Sequence, residues 1–227
     1  MKRIWILGSG PSLLKTPLEK LIGEDTMACN KINKIFPLTP WRPTYYYMVD
    51  FDSIAGIGWQ QRIYDVLPHV KHAWLWDAFR NGHPPQHPNH DILPSGIGEQ
   101  KNVTWIPRCR KHHAYQSNNP KMASWGWHPP EICTAINSIS AMMQIAVQLG
   151  YEEIYLLGCD VGYTPDRSIN HFTPDYSDDP RDKSEMDNRH CLFAHQVSRR
   201  DCPIPIYNAT IGGALEVHPR VEIDEVL

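Results

Sequence analysis

The feature that most constrains the fold is a short apolar segment that runs directly into a glycine-rich turn near the start of the chain. Arg3–Leu7 has the length and character of a strand, and Gly8-Ser9-Gly10-Pro11-Ser12 follows it without a gap. Apolar residues recur with roughly helical spacing over residues 13–22, which predicts a helix after the turn. A strand, a glycine turn and a helix in this order are typical of the first unit of a nucleotide-binding α/β fold.

The rest of the chain continues this alternation of predicted strands and helices. Helices are predicted over residues 134–149, with Gly150 as the C-cap, and over residues 184–199. The alternation predicts a Rossmann-like α/β fold with a mostly parallel sheet and helices on both faces. The further predicted strands are residues 26–29, 45–49, 70–76, 103–106, 153–157 and 204–207.

The length of 227 residues is enough for one domain with a substantial core. We expect residues 1–227 to form a single Rossmann-like nucleotide-binding domain. A loop-rich insert is predicted over residues 77–130, where proline, histidine, glycine and asparagine are dense, and a lid over residues 163–200.

Composition excludes several functional classes. The net charge of −3 lacks the basic excess of a nucleic-acid-binding protein. No apolar stretch approaches the roughly 18–20 residues of a membrane span, and the first apolar run is too short for a signal peptide. The six cysteines include no Cys-x-x-Cys pair, which disfavours a zinc ribbon. We therefore expect a cytoplasmic protein with reduced thiols and no nucleic-acid partner.

Polar residues follow several of the predicted strands. Asn30, Asp50, Asp160 and Asn208 each stand at or just past a strand end, as the glycine turn does. Ligands of parallel α/β sheets bind beyond the carboxyl ends of the strands, so a ligand site is predicted at this edge. Each of these residues could equally cap a turn, and the local pattern does not separate the two readings.

The glycine turn suits a nucleotide but departs from the dinucleotide fingerprint. Glycines let a backbone approach a ligand, and N–H groups at a helix start attract phosphate. Leu13 replaces the third glycine of the fingerprint, and Asn30 stands near the place of its acidic residue, which disfavours an NAD site. On this interpretation, a bulky side chain at Gly10 abolishes nucleotide binding and leaves the protein folded.

Three histidines in the second half of the chain are candidates for a general base. His171, His190 and His195 lie in or near the predicted lid, and histidine can accept a proton near neutral pH. His190 and His195 are five residues apart and do not share a helical face as metal ligands at i, i+4 would. No metal site is predicted.

Several segments together resemble a known family. Ile6-Leu7-Gly8-Ser9-Gly10-Pro11-Ser12-Leu13, the Cys29-Asn30 pair, residues 149–160 and the tail 206–217 are similar to bacterial sialyltransferases of glycosyltransferase family 42. They are equally similar to the related group of motility accessory factors and archaeal 6-hydroxymethylpterin diphosphokinases. The tail resembles members of that group that are often encoded by phages and environmental bacteria.

The resemblance implies a nucleotide domain with a lid that binds a CMP-activated sugar. In the family a lid histidine is the base, and His195 falls nearest its place, with His190 and His171 as further candidates. Tyr163 and Tyr176 are possible counterparts of family tyrosines on the donor phosphate, whereas no arginine precedes residues 136–138, where the family has one. The strand ends and the resemblance together assign the nucleotide to Gly8, Ser9, Gly10, Pro11, Ser12, Asn30, Asp50, Ser138, Asp160, Tyr163, Asn208 and Thr210.

The expected activity is transfer of a sugar, such as sialic or another nonulosonic acid, from a CMP-activated donor to a hydroxyl of a glycan or another acceptor. This reaction requires no cofactor. One alternative is Mg²⁺-dependent pyrophosphoryl transfer to a pterin-type alcohol, with Asp50 and Asp160 as metal ligands. Another is nucleotide binding without catalysis, and a homo-oligomer is left open.

Overall fold

The computed structural model describes residues 1–49, 59–81, 96–107, 125, 132, 137–166, 169–177 and 188–227, without the side chains of Trp59, Ser177 and His190. Seven strands lie in this part of the chain. They are β1 (Arg3–Leu7), β2 (Thr26–Cys29), β3 (Tyr45–Met48), β4 (His72–Trp76), β5 (Val103–Ile106), β6 (Glu153–Leu157) and β7 (Ile206–Asn208).

The seven strands form one sheet in the order β5-β4-β3-β2-β1-β6-β7. Every neighbouring pair is parallel, which confirms the predicted parallel α/β fold. Trp5 of β1 pairs with Thr26 of β2 on one side and with Tyr155 of β6 on the other. The glycine turn therefore leaves the sheet from one of its inner strands.

Five α-helices accompany the sheet in the described ranges. They are α1 (Trp59–Val66), α2 (Asp77–Asn81), α3 (Ser138–Gln148), α4 (Asn188–Asp201) and α5 (Ile223–Val226). Helix α3 contacts β1, β3 and α4.

Strand β1 is covered on both faces. Successive side chains of a strand point to opposite faces of the sheet, and Ile4, Trp5, Ile6 and Leu7 are all fully buried. A continuous apolar run of this kind is typical of a parallel strand between two layers. The burial agrees with the prediction of helices on both faces.

The helix predicted over residues 13–22 is wrong. Two short 3-10 helices, Pro11–Lys15 and Leu18–Leu21, take its place. Pro17 offers no N–H and disfavours a helical conformation in the residue before it, and Thr16 is extended, with ψ of 128°. The predicted apolar face is broken as a result, since Leu14 and Ile22 are largely exposed.

Helix α3 begins at Ser138, directly after its N-cap residue Asn137. The Asn137 side chain accepts a hydrogen bond of 2.8 Å from the Ser140 N–H, the standard arrangement of an N-cap. Gly150, with φ of 75°, follows the last turn, as predicted. Ser140 Oγ lies inside the protein and accepts from Trp125 Nε1 at 2.8 Å, so this hydroxyl stabilises the core.

The described cysteines are free thiols. Cys29, Cys159 and Cys191 are buried, and Cys202 is partly exposed. No helix within the described ranges is both long enough and apolar enough to cross a membrane. Much of the predicted insert and part of the predicted lid lie outside the described residues, although α2 and β5 fall inside the insert. The single-domain division stays a prediction.

Candidate functional site

The candidate site lies where the strand order reverses. From β1 the chain proceeds through β2 to β5 on one side, and β6 and β7 lie on the other side. In such sheets the loops leaving the two strands at the switch point diverge and open a crevice at the carboxyl edge. The glycine turn after β1 and the Gly158-Cys159-Asp160 turn after β6 both lie at this point.

The two turns are bonded to each other. The Gly10 N–H donates to the Gly158 carbonyl at 2.8 Å. Asp160 accepts from the Ser12 N–H at 3.2 Å and from Ser12 Oγ at 2.7 Å, one bond to each carboxylate oxygen. Burial raises the pKa of Asp160, and the bonds from Ser12 oppose that shift by stabilising the charged form.

Asp160 therefore occupies the position that we expected for a phosphate. Its carboxylate caps the start of the 3-10 helix Pro11–Lys15 and satisfies the Ser12 donors. Pro11 has no N–H to offer. An anionic ligand at this edge has to be recognised by other groups.

The glycines of the turn are required by close packing against β6. A Cβ at Gly8 would lie 2.5 Å from the Gly158 carbonyl oxygen. A Cβ at Gly10 would overlap the Asp160 carboxylate and lie 2.8 Å from the same carbonyl oxygen. The expectation that a bulky side chain at Gly10 leaves the fold intact is therefore wrong, because the space is filled by the protein itself.

Asn30 directly follows β2 and has a left-handed conformation, with φ of 58°. Its N–H donates to the Tyr47 carbonyl at 3.2 Å, and its carbonyl accepts from the Tyr46 hydroxyl at 2.6 Å, so β3 fixes its backbone. The side-chain oxygen Oδ1 is buried and has no hydrogen-bond partner within the described residues. A buried acceptor without a donor is costly, which makes this atom a candidate ligand contact.

His171 is the candidate base that the structure brings to the glycine turn. Its Nδ1 lies 3.1 Å from Ser9 Oγ, and the Phe172 N–H donates to the Ser9 carbonyl at 3.0 Å. The His171 ring stacks on Tyr176 with centroids 4.1 Å apart, and the Tyr163 ring is 6.2 Å away. Burial raises the pKa of both tyrosines, so their hydroxyls stay protonated.

Two buried cations beside this segment were missed by the sequence analysis. Lys31 is 1% exposed, and its Nζ donates to the Tyr176 carbonyl at 2.5 Å. Arg62 of α1 is also buried. Burial raises the pKa of Tyr46 and of Tyr176, and the nearby Arg62 charge offsets part of each increase. The sequence feature that could have identified Lys31 is its position directly after Asn30, at the end of a predicted strand.

His195 lies in the interior, paired with a histidine of the tail. It is 3% exposed, and its Nδ1 is 3.1 Å from His218 Nε2. Burial and the neighbouring His218 lower the pKa of His195 to about 3. The side chain of His190 lies outside the described residues.

Asn208 and Thr210 hold the turn after β7. Asn208 is 1% exposed, donates to the Leu215 carbonyl at 2.7 Å and accepts from the Thr210 N–H at 3.0 Å. Thr210 Oγ1 accepts from the Cys159 N–H at 3.1 Å. These bonds join β7 to the end of β6, so the structure shows a structural use for both side chains.

The remaining described candidates are Ser138 and Tyr163. Ser138 is the first residue of α3 and is half-buried. The Tyr163 backbone is held by Asn188 at the start of α4, with bonds of 2.7 and 2.9 Å. Asp50 lies outside the described residues. Among the described side chains, no group of three His, Cys, Asp or Glu residues is arranged to hold a metal ion.

The close contact at Gly10 predicts a large loss of stability when a methyl group is added. Gly10→Ala should lower the free energy of unfolding by about 1–3 kcal/mol or more, because the new Cβ overlaps Asp160. Gly162→Ala is the matched control, since nothing lies within 4 Å of a Cβ there. Urea denaturation measures both variants. Equal stability of Gly10→Ala and the native protein would contradict the described packing.

The buried histidine pair predicts loss of stability in mild acid. The pKa of His195 is about 3, and burial, with the Arg199 charge, lowers that of His218 to about 4. An unfolded histidine titrates near 6.5, so below this pH the unfolded chain binds more protons than the folded protein. Stability is therefore complete above the unfolded pKa and falls as the pH drops, by about 1.4 kcal/mol per pH unit for each histidine.

Urea denaturation between pH 7 and pH 4.5 tests this prediction. His218→Gln should reduce the dependence of the unfolding free energy on pH, because one of the two groups no longer titrates. The exposed His69 provides the control, and His69→Gln should keep the native dependence. The prediction fails if His218→Gln and His69→Gln lose stability equally steeply toward acid.

Comparisons with known proteins place the chain by fold. No family model matches it, and no curated protein matches it significantly. Among solved structures it is similar to that of the MAf glycosyltransferase from Magnetospirillum magneticum AMB-1, with a TM-score of 0.55 and 15% sequence identity. The match covers 100% of this chain and 34% of that protein, so the chain spans about a third of its length. The chain has the α/β fold of a region of a glycosyltransferase.

Proposed function

We propose that this protein transfers a sugar from a CMP-activated donor to an acceptor hydroxyl, with His171 as the general base. The observation that carries the proposal is the contact of His171 Nδ1 with Ser9 Oγ, 3.1 Å apart, in the glycine turn at the switch point. A titratable group beside the crevice where α/β folds bind their ligands is suited to proton transfer on a bound substrate.

Fold similarity supports the class of reaction. A solved structure with a similar fold is named a glycosyltransferase, and the match includes the whole of this chain. A fold hosts many activities, so the choice of glycosyl transfer depends on the residues of the site as well. The sequence resemblance of the glycine turn and Asn30 to CMP-sugar enzymes points to the cytidine donor.

Asn30 is proposed to contact the nucleotide. Its buried Oδ1 has no donor among the described residues, and a ribose hydroxyl or the exocyclic amine of cytosine would supply one. The left-handed backbone is fixed by β3, so the side chain is held in place before a ligand binds. Binding then requires little reorganisation of this residue.

The donor phosphate is proposed to be stabilised by a buried arginine. Asp160 already accepts the Ser12 donors at the start of the 3-10 helix, so the helix start is not available for this purpose. Arg62 of α1 is buried, and its charge offsets part of the rise in the pKa of Tyr176, the residue that stacks on His171. Under the proposal Arg62 takes the place of the arginine that this chain lacks before residues 136–138.

In the proposed mechanism His171 uses Nε2 as the base. This role requires the tautomer in which Nδ1 carries the proton and donates a hydrogen bond to Ser9 Oγ. Nε2 removes the proton from the acceptor hydroxyl, whose oxygen forms the new bond to the anomeric carbon of the sugar. The bond from that carbon to the phosphate oxygen breaks at the same time, and CMP leaves with the electron pair.

The other candidate bases and the alternative reaction have less support. His195 is enclosed with His218 away from solvent, and the side chain of His190 lies outside the described residues. Pyrophosphoryl transfer to a pterin-type alcohol would place Mg²⁺ on Asp50 and Asp160. Both oxygens of Asp160 are bonded to Ser12, and Asp50 lies outside the described residues. No specific observation favours this alternative or binding without catalysis.

Nucleotide binding is tested by thermal shift with CMP, CDP, UDP, GDP, ADP and ATP, with and without Mg²⁺. We expect CMP or CDP to stabilise the protein without metal, by about 2.7 kcal/mol at 100 times the Kd. Asn30→Ala should weaken the response by about 1–3 kcal/mol, because it removes the unpartnered acceptor. A response only to ATP with Mg²⁺ would instead favour pyrophosphoryl transfer.

Catalysis is tested by turnover of CMP-activated nonulosonic acids. His171→Asn should lower kcat by at least about a hundredfold, because the base is lost, and leave nucleotide affinity within about threefold. His195→Asn and His190→Asn are the comparison variants and should retain more activity than His171→Asn. If His171→Asn turns over normally and one of the other variants does not, the base lies elsewhere.

A further inference from the structure

The side-chain amine of Lys31 is enclosed in the protein. This residue follows Asn30 directly, precedes the 3-10 helix Ile32–Leu38, and is 1% exposed. Its Nζ donates to the Tyr176 carbonyl at 2.5 Å and lies 5.5 Å from the centroid of the Tyr176 ring. A charged amine is costly to remove from water unless specific contacts compensate for the lost hydration. The contacts with Tyr176 contribute to that compensation.

The segment of residues 169–177 is attached to the sheet edge at two points. Near its start, the Phe172 N–H bonds to the Ser9 carbonyl at 3.0 Å. Near its end, Lys31 holds the Tyr176 carbonyl. His171 lies between these attachments and stacks on Tyr176 with an interplanar angle of 18°, so a shift of Tyr176 would carry the imidazole with it.

A second lysine contacts the same segment in a different environment. Lys34 Nζ donates to the Asp175 carbonyl at 2.6 Å and to its carboxylate at 2.7 Å. The Asp175 side chain is 67% exposed, and solvent-exposed ion pairs hold their partners weakly. The two lysines therefore differ in burial and in whether they touch the residue that stacks on His171.

We infer that Lys31 is a positioning residue for His171. It fixes the Tyr176 backbone, the Tyr176 ring supports the imidazole, and the imidazole is thereby kept with Nδ1 against Ser9 Oγ. The catalytic value of this arrangement rests on the proposed function, whereas the arrangement itself does not. Lys31 acts through Tyr176 and is not the proton acceptor.

The test compares Lys31→Met with Lys34→Met in the full chain. Methionine keeps much of the length of the lysine stem and removes the charge and its hydrogen bond. Long-range ¹H–¹⁵N spectra report the tautomer of each histidine, and loss of one signal set in His171→Asn assigns His171. We expect a single Nδ1-protonated tautomer in the native protein and in Lys34→Met, and a mixture of tautomers in Lys31→Met.

Kinetics provides the second measurement where a donor is turned over. Lys31→Met should lower kcat by at least tenfold with the donor KM within about threefold, and Lys34→Met should match the native protein. Folded Lys31→Met with native His171 signals overturns the inference. If Lys31→Met does not fold, Tyr176→Leu removes the ring from the same chain of contacts, and native His171 signals there also overturn it. The spectra decide the positioning role, and turnover decides the proposed function.

Discussion

The hydrogen bonds between Asp160 and Ser12 are the contact on which the candidate site depends. They join the turns that follow β1 and β6 across the switch point of the sheet. The two bonded residues are 148 positions apart in the chain. The Asp160 carbonyl also accepts from the Ala214 N–H at 2.7 Å, which ties the tail to the same point. Three separate parts of the chain therefore meet at one residue, Asp160.

This contact also explains the glycines of the turn. With Asp160 and the Gly158 carbonyl so close, a side chain at Gly8 or Gly10 has no space. Glycine in a turn after a first strand is usually interpreted as access for a ligand, and here it provides access for the neighbouring strand end. The nucleotide-binding interpretation must therefore be carried by other atoms of the edge, chiefly those of Asn30, His171 and Arg62.

Sequence patterns predicted the strands better than the first helix. The bounds of β1, β2, β5 and β6 agree with prediction, because short apolar runs between polar or glycine residues mark buried parallel strands clearly. The pattern over residues 13–22 suggested a helix because apolar spacing was weighed above Pro17, whose backbone constraint decided the outcome. At α3, Gly150 follows the last turn as predicted, but the helix begins at Ser138 and not at residue 134, because Asn137 is extended and caps it.

The sequence by itself determined a parallel α/β sheet and the edge at which its polar residues gather. Apolar runs, glycine turns and polar residues at strand ends are local features of the sequence. Because ligands of parallel α/β sheets bind beyond the carboxyl ends of the strands, these features also predict the edge at which a ligand binds. Only the tertiary structure decided which of these residues have internal partners, as Asn208 and Asp160 do, and which keep an atom without a partner among the described residues, as Asn30 does. It likewise put His171 at the turn and His195 in the core. The reason is that hydrogen-bond partners and burial depend on segments distant in sequence, which no local pattern specifies.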